Sequence, residues 1–295
     1  KHIGGMSLKK GQIIKLTGGL YTVIDEDGVK KQVKPLGIFR YQDIKPKVGD
    51  WVAVDDHSIT QVFARKNDLS RPAIANIDQA LIIQSAKEPD FSFGLLDRFL
   101  VIVADANIDA VIIVTKIDLC SVQDRQELAK NMAFYEEFYP VIWFSTKTYE
   151  GQEKIESLTQ SKINVVTGQT GAGKSSLLNV LNPKLQLATN QISKALGRGK
   201  HTTRTVELIP FFHGWIADTP GFSQLDITNI EQSRLRDLFP DFLPYASHCR
   251  FNGCSHIHEP ECQVRNAVDE GKILKSRYEN YVNFHEEIRS TKPRY

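Results

Sequence analysis

The chain has 295 residues, of which 41% are hydrophobic and 24% are charged, and its formal net charge is +2. This composition is ordinary for a globular protein, and the length predicts two or three domains. No stretch has the ~20 consecutive apolar residues of a membrane span, and no signal-peptide pattern opens the chain. We therefore expect a cytoplasmic protein, and the charge alone indicates no polyanionic partner.

The N-terminal part of the sequence alternates short β-type runs with turn residues. Closely spaced strands with little helix are typical of a small barrel, either the five-stranded oligonucleotide-binding (OB) fold or another barrel of that size. Residues 1–5 resemble a tag remnant, and residues 6–70 are the predicted barrel domain. The predicted strands are Gln12–Leu16, Leu20–Ile24, Gln32–Pro35 and Trp51–Val54.

Beyond residue 70 the pattern changes to long apolar runs that alternate with amphipathic stretches. Such alternation predicts an α/β domain over 71–225, with a parallel sheet covered by helices on both faces. From residue 226 to 295 the pattern is mostly helical and polar, and it surrounds a cysteine cluster, which predicts a separate C-terminal domain. The predicted strands and helices of the α/β domain are Ala80–Gln84, Leu95–Ala106, Ala110–Thr115, Val122–Phe138, Val141–Phe144 and Asn164–Thr167.

A P-loop pattern, Gly, four residues and then Gly-Lys-Ser, lies between a predicted strand and a helical run. In such a loop, backbone N–H groups and the helix start bind phosphate oxygens. Lys174 is predicted to act catalytically by neutralising the β- and γ-phosphates, and Ser175 to bind Mg²⁺. The alternative is a glycine-rich turn without a ligand. The predicted phosphate-site residues are Gly168, Gln169, Thr170, Gly171, Ala172, Gly173, Lys174, Ser175 and Ser176.

The segment Thr115-Lys116-Ile117-Asp118 ends an apolar strand, which is where nucleotides bind in parallel sheets. The Asp118 carboxylate is predicted to accept two hydrogen bonds from guanine, which adenine cannot donate, so GTP is favoured over ATP. Lys116 is expected to lie along the base, and Thr115 stands where most GTPases carry asparagine. A second base loop is predicted one strand later, with a plain loop as the alternative. Its residues are Ser145, Thr146 and Lys147.

Two segments after the P-loop have the composition of nucleotide-sensing switches. The first, residues 197–204, is basic and offers Thr203 as a Mg²⁺ ligand, with Thr202 as the alternative. The second, Asp-Thr-Pro-Gly, would hold Mg²⁺ through Asp218 and sense the γ-phosphate through the Gly221 N–H. The alternative is a simple turn, since Pro-Gly is common in turns. Because the base motifs precede the P-loop, the GTPase motifs are circularly permuted.

Three cysteines and a histidine are crowded into one short segment near the C-terminus. Three thiolates and one imidazole are a common tetrahedral zinc set, and four protein ligands leave no open position, so a structural zinc is predicted. His258 is an alternative to His256, and a reduced cysteine cluster is the alternative to a metal site. The predicted ligands are Cys249, Cys254, His256 and Cys262.

The permuted order, the Gly-Arg-Gly-Lys-His-Thr-Thr segment and the Cys-x4-Cys-x-His-x5-Cys cluster together resemble the RsgA family of GTPases, also called YjeQ or YloQ. The resemblance spans nearly all of the chain after Met6. It implies a GTPase that acts late in maturation of the 30S ribosomal subunit, binds 16S rRNA and hydrolyses GTP faster on the subunit. We also expect a monomer.

The same resemblance implies a role for His201, because Phe222 stands where many GTPases have a water-orienting glutamine. His201 would orient the attacking water; a histidine that faces phosphate or RNA is the alternative. Gly171 replaces the asparagine of some cation-activated relatives, so potassium dependence is not expected. The rival function is an RNA-binding scaffold with a regulatory, non-hydrolysing guanine nucleotide site. An ATPase is disfavoured by Asp118.

Basic and aromatic residues offer two candidate RNA contacts, for which solvated surface and ordinary core packing are the alternatives. The first is in the barrel and the second is in the closing helix, where aromatic residues at helical spacing are more often core. The residues concerned are Arg40, Lys45 and Lys47 near Phe39, Tyr41 and Trp51, and Lys272, Lys275 and Arg277 near Tyr278, Tyr281 and Phe284.

Overall fold

The computed structural model describes residues 8–70, 73–185, 206–217 and 225–291. These residues pack into two compact units, each assembled from separate stretches of the chain. The three-domain division stays a prediction. The first unit consists of the described residues within Lys1–Ala80, Glu153–Val166 and Leu178–Phe222, and the second of those within Leu81–Gln152, Thr167–Leu177 and Ser223–Tyr295.

The described elements are short, and strands dominate the first third of the chain. The strands are β1 (Lys9–Thr17), β2 (Leu20–Asp25), β3 (Lys30–Pro35), β4 (Trp51–Val54), β5 (Ser58–Val62), β6 (Asp68–Ser70), β7 (Ala73–Ala75), β8 (Gln79–Ser85), β9 (Asp109–Thr115), β10 (Val141–Trp143), β11 (Ile163–Gly168), β12 (Val206–Phe211) and β13 (Gly214–Ala217). The α-helices are α1 (Ile38–Tyr41), α2 (Phe93–Asp105), α3 (Val122–Glu136), α4 (Gln152–Thr159), α5 (Lys174–Leu181), α6 (Leu243–Ala246), α7 (Gln263–Asp269) and α8 (Lys275–Ser290). Short 3₁₀ helices cover Ile117–Leu119, Pro183–Leu185 and Gln232–Leu238. None of the described helices is long and apolar enough to cross a membrane.

The N-terminal barrel of the first unit is closed. Strand β1 pairs antiparallel with both β2 and β4, β3 pairs parallel with β5, and β4 pairs antiparallel with β5. Side chains from alternate positions fill its interior, among them Ile13, Val23, Val52 and Ile59, none more than 1% exposed. The predicted five-stranded barrel is confirmed, although the sequence pattern identified only four of its strands and missed β5.

The first unit also contains strands from the α/β part of the chain. Strand β11 runs parallel to β13, with Ile163 opposite Trp215. Strand β12 runs antiparallel to β13 and pairs with β1 of the barrel. The predicted parallel sheet therefore includes one antiparallel strand, β12, which the sequence pattern did not indicate. The reason is the tight turn at Phe212 and His213, whose φ angles of 45° and 59° suit the two-residue loop of an antiparallel hairpin.

In the second unit, β10, β9 and β8 lie side by side in that order. Strands β9 and β10 run parallel, with Trp143 opposite Val114. Helix α2 begins after Ser92, whose Oγ accepts a hydrogen bond from the Leu95 N–H at 3.3 Å. Helix α3 begins with a capping box formed by Ser121 and Asp124. Both helices start within two residues of the predicted positions.

The C-terminal part of the second unit has an apolar core of its own, to which α2 contributes Val101. Arg277 of α8 is buried in this part of the unit, at 1% exposure. Its guanidinium donates to Asp97 of α2 at 2.5 Å and to Asp241 at 2.8 Å. The suggestion that Arg277 contacts RNA is therefore wrong, because its charge is used inside the protein. Tyr281 and Phe284 are core residues, at 1% and 4% exposure.

Candidate nucleotide-binding site and metal cluster

The glycine loop follows β11 and leads into α5. Gly168 has a φ of +135°, and a Cβ atom there would lie 1.9 Å from the carbonyl oxygen of Ile83, so only glycine fits. Gly171 and Gly173 have φ angles of +83° and +81°, in the left-handed region. The first N–H groups of α5 have no partners within the helix. The loop therefore has the backbone of an anion-binding turn at a helix N-terminus.

The Lys174 ammonium group is folded back over this loop. Its Nζ donates to the carbonyl oxygens of Gly168, at 2.8 Å, and of Gln169, at 2.6 Å. Burial lowers the pKa of Lys174 from 10.5 to about 8, because the charged form loses hydration. A phosphate group near this position would supply a full counter-charge in place of the two carbonyl dipoles.

The base motif lies directly against the glycine loop. Thr115, the last residue of β9, is 3% exposed, and its Oγ1 donates to the carbonyl oxygen of Ala172 at 2.6 Å. Lys116 has a left-handed φ of 57°, and its Cε lies 3.9 Å from the place where a Cβ on Gly173 would stand. Thr115 therefore fastens the base motif to the phosphate loop, a contact that the sequence motif did not predict for threonine.

Asp118 lies in the 3₁₀ helix after β9, and its side chain is 14% exposed. Its Oδ1 accepts from the Ser145 Oγ at 2.8 Å, and its Oδ2 lies 2.8 Å from the Lys147 Nζ. The hydrogen bond from Lys147, opposed by burial and aided by Ser145, lowers the pKa of Asp118. The carboxylate is therefore ionised at neutral pH and can only accept hydrogen bonds. The two base loops meet because β9 and β10 are parallel neighbours.

A segment outside every sequence motif also contacts the glycine loop. Residues 86–90 follow β8, and the Lys116 Nζ contacts the carbonyl oxygen of Glu88. The Cδ of Pro89 lies 3.4 Å from the place where a Cβ on Gly171 would stand. These contacts use backbone atoms and a proline ring, which carry no motif. The one signal in the sequence is the position of the segment at the end of a buried strand.

The other predicted nucleotide residues fall into two groups. Thr170 is exposed in the glycine loop, Ser175 is 8% exposed in the first turn of α5, and Ser176 and Thr146 are half-buried. The predicted switch residues lie outside the described part of the chain, and their roles stay predictions. They are His201, Thr202, Thr203, Asp218 and Gly221.

The candidate RNA-contacting residues of the barrel differ in exposure. Phe39 is 5% exposed and belongs to the core, whereas Tyr41 is 92% exposed. Lys45 is exposed and lies 3.6 Å from Asp43. Lys47 contacts the Asp68 carboxylate and donates to the Leu69 carbonyl oxygen at 3.0 Å, so its charge is compensated within the protein.

The four predicted metal ligands converge in the C-terminal part of the second unit. The ligand atoms of Cys249, Cys254, His256 and Cys262 all lie within 4.8 Å of one another. The Nδ1 of His256 is 3.6 Å from the Cys249 Sγ and 3.4 Å from the Cys262 Sγ. Around a tetrahedral zinc ion, N–S ligand separations are about 3.6 Å, given Zn–N and Zn–S bonds of about 2.1 and 2.3 Å. The set therefore fits zinc, and His256 is the cluster histidine, while His258 is exposed outside it.

The electrostatics of the cluster also favour a cation. Burial raises the pKa of Cys254 to about 12 and raises that of Cys262, so the thiolates that bind zinc would be costly there without a positive ion. Burial lowers the pKa of His256, which keeps the imidazole in the neutral, metal-binding form. Tyr278 of α8 donates to the carbonyl oxygen of His256 at 2.8 Å and supports the loop.

Comparison with known sequences gives a consistent result over nearly the whole chain. Residues 10–61 match the family model described as the RsgA N-terminal domain, and residues 62–228 match that of the RsgA GTPase. A Bacillus cereus protein named small ribosomal subunit biogenesis GTPase RsgA is 47% identical over 294 residues, covering 98% of this chain and 100% of the relative. A relative of the same name from a Geobacillus species is 48% identical with the same coverage.

Two solved structures have the same fold. YjeQ from Thermotoga maritima superimposes with a TM-score of 0.86 at 34% identity, covering 97% of this chain and 100% of that one. YloQ, described as a circularly permuted GTPase, superimposes with a TM-score of 0.85 at 38% identity, covering 100% of both chains. The permuted order read from the sequence is therefore confirmed at the level of the fold.

Proposed function

This chain belongs to the RsgA family of GTPases and is a GTP hydrolase, and from that premise we propose that the small ribosomal subunit is its partner and the activator of its hydrolysis. In this proposal it acts late in 30S maturation, in the cytoplasm and as a monomer, and it binds 16S rRNA. The proposal extends to this chain the partner that stands in the names of its relatives.

One observation carries the guanine specificity of the proposal. The Asp118 carboxylate, oriented by Ser145 and Lys147, extends from a motif whose Thr115 is hydrogen-bonded to Ala172 of the glycine loop at 2.6 Å. A carboxylate in that position accepts hydrogen bonds from the guanine N1–H and N2 amino groups, and adenine would leave it unsatisfied. Base selection and phosphate binding are thus supported by one connected set of contacts.

The proposed roles of the remaining residues follow the chemistry of phosphoryl transfer. Lys174 and the N–H groups of residues 168–176 bind the phosphates, and Ser175 holds Mg²⁺ together with Thr203 and Asp218. The bound Mg²⁺ would neutralise charge that develops on the phosphate oxygens. His201 orients the attacking water and the Gly221 N–H senses the γ-phosphate. Zinc, bound by the Cys₃His cluster, is proposed as structural, since four protein ligands leave no open position.

The test is multiple-turnover phosphate release from GTP with and without purified 30S subunits. We expect slow release from the protein alone and at least about tenfold faster release with subunits, a change of ~1.4 kcal/mol or more in the barrier. A His201→Ala variant that binds GTP should lose the stimulated rate. An unchanged rate with subunits would contradict the proposed partner, and no hydrolysis under any condition would favour an RNA-binding scaffold.

A further inference from the structure

A cleft of about 520 Å³ lies in the first unit, and its lining includes none of the residues of the nucleotide site or of the metal cluster. Trp51 and Lys66 line it from the barrel side, and Lys162, His213 and Trp215 line it at the start of β11 and β13. Its volume is within the range of about 300–1,000 Å³ that ligand sites occupy. Of these residues only Trp51 belongs to a pattern identified in the sequence, the candidate RNA contact of the barrel, and no step of the proposed reaction uses any of them.

Two tryptophans give the cleft flat aromatic surfaces. Trp51 is 39% exposed, although it is a large apolar residue in a strand of the barrel. The Nζ of Lys10 lies over one face of this ring, 4.9 Å from its centroid, so a base would stack on the other face. Trp215 lines the opposite side and is half-buried. Exposed indole rings beside cations are the combination on which nucleic-acid bases stack, largely without regard to sequence.

The charges of the cleft leave an excess of cations. Lys66 forms an ion pair with Asp78 at 3.4 Å, so these two charges compensate each other. Lys162 donates instead to the neutral amide oxygen of Gln79 at 2.8 Å, and its positive charge therefore stays available to an anion. Lys162 is therefore a lining cation without a carboxylate partner among the described ion pairs, and Lys10, which does not itself line the cleft, places a second such cation over the Trp51 ring.

We infer that this cleft binds an unpaired nucleotide of a single-stranded RNA. The base stacks on Trp51 or Trp215, and the neighbouring phosphates lie near Lys162 and Lys10. The inference deepens the proposed function and rests on it for the choice of RNA as the polymer. An acidic peptide could pair with the same cations, but its carboxylate side chains would not stack on the two indole rings as planar bases do. The observations therefore favour a nucleic acid.

The barrel fold by itself does not predict this site. Oligonucleotide-binding barrels bind their ligands through the second and third strands and adjoining loops. This cleft instead lies beside Trp51 of β4, Gln12 of β1 and the residues after β5, where the hairpin turn at His213 faces the barrel. Its open form, with exposed Lys66 and His213 at the rim, suits a polymer that continues past the bound nucleotide.

The test uses the full chain saturated with GDP, so that the nucleotide site is filled. The probe is a fluorescein-labelled single-stranded oligouridylate of about ten nucleotides, within the usual site size of such barrels, and binding is followed by anisotropy. Trp215→Leu should weaken binding about 5- to 100-fold, as expected for the loss of one stacking contact, and Trp215→Phe should restore most of it. Lys162→Gln should weaken binding and reduce the salt slope by about 0.7.

Two matched variants outside the cleft serve as controls. Phe251→Leu removes another exposed aromatic ring, which has the Arg250 guanidinium 5.6 Å from its centroid. Lys130→Gln removes an exposed lysine of α3. Both should bind the oligonucleotide as the unaltered chain does. Because the chain has only three tryptophans, a Trp143→Phe background also lets fluorescence quenching report on Trp51 and Trp215 directly.

Several results would overturn the inference: no binding of the oligonucleotide by the unaltered chain, equal losses in the two controls, or full competition by polyglutamate. If Trp215→Leu fails to fold, the affinity of Lys162→Gln for the oligonucleotide and the quenching of tryptophan fluorescence still test the inference. Subunit-stimulated GTP hydrolysis is measured on the same preparations. Stimulation without oligonucleotide binding would end the inference and leave the proposed function intact, whereas absent stimulation would contradict the proposed function.

Discussion

In the glycine loop the contacts are made mainly by backbone atoms, whereas in the C-terminal part of the same unit they are made by buried side chains. Gly168 fits only because it has no Cβ, and the ammonium of Lys174 rests on two carbonyl oxygens. Around α8, by contrast, Arg277 joins Asp97 and Asp241 in the interior. The difference predicts that changes in the loop affect ligand affinity, and that changes around α8 affect folding.

The largest effect is expected from loss of the metal ligands. A Cys254→Ser variant, or treatment with a zinc chelator, should withdraw ~10 kcal/mol of metal-binding free energy from folding and loosen the core that contains Phe239 and Tyr281. Hydrogen exchange in α8 and the zinc content measure the result. Cys120→Ser, at a half-buried cysteine outside the cluster, is the matched control and should change neither. An α8 that keeps its protection without metal would contradict a structural role.

The buried ion pair is expected to give the next largest effect. Arg277→Met leaves the carboxylates of Asp97 and Asp241 buried without their cation, so the free energy of unfolding should fall by about 3–5 kcal/mol. Urea unfolding measures the change. Lys275→Met, two residues earlier on the exposed face of α8, should leave the midpoint unchanged. Equal stability of the two variants would show that Arg277 contributes no more than a surface charge.

Substitution of the loop glycines should separate affinity from stability. Gly168→Ala places a Cβ against the Ile83 carbonyl oxygen and strains the positive φ, at a cost of about 1–3 kcal/mol, so GDP binding should weaken about tenfold or more. At Gly171 the nearest atom to a new Cβ is 3.4 Å away, so Gly171→Ala should lose less GDP affinity than Gly168→Ala. GDP titration calorimetry compares them. If both variants bound GDP normally, the geometric account of the loop would be wrong.

A smaller effect on GDP affinity is expected from a change of pH. The pKa of Lys174 is lowered by burial to about 8, and phosphate binds the protonated ammonium. Because the protonated fraction of such a group falls from about nine tenths at pH 7 to about one tenth at pH 9, apparent GDP affinity should fall about tenfold across that interval. The affinity should be nearly constant below pH 7. An affinity that stays level up to pH 9.5 would mean that Lys174 remains charged without the nucleotide.

The two regions also differ in how far the sequence alone predicts them. The nucleotide motifs are contiguous, so the glycine loop, the base motif and the strands before them were predicted nearly in place. The Cys₃His set was likewise predicted from close spacing. The Arg277 pairing was not, because Asp97 is 180 positions away in the chain and no local pattern connects them. Burial of an arginine depends on partners that only the fold brings together.

Other differences have local causes. Strand β5 was missed because its residues, Ser58–Val62, alternate weakly and follow a polar turn. The role of Thr115 was missed because its hydrogen-bond partner is the backbone of Ala172, which no side-chain motif marks. Backbone contacts and hairpin direction therefore account for most of what the pattern of side chains could not predict.

The measurement that tests the central claim most directly is nucleotide competition on the unaltered chain and on Asp118→Asn, with GTP, ATP and XTP. The account predicts that the unaltered chain binds GTP at least about 100-fold more tightly than ATP, because adenine leaves the Asp118 carboxylate unsatisfied. In Asp118→Asn the amide can donate to the C2 carbonyl of xanthine, so preference should move from GTP to XTP. Equal binding of GTP and ATP by the unaltered chain, or an unchanged preference in Asp118→Asn, would contradict the account.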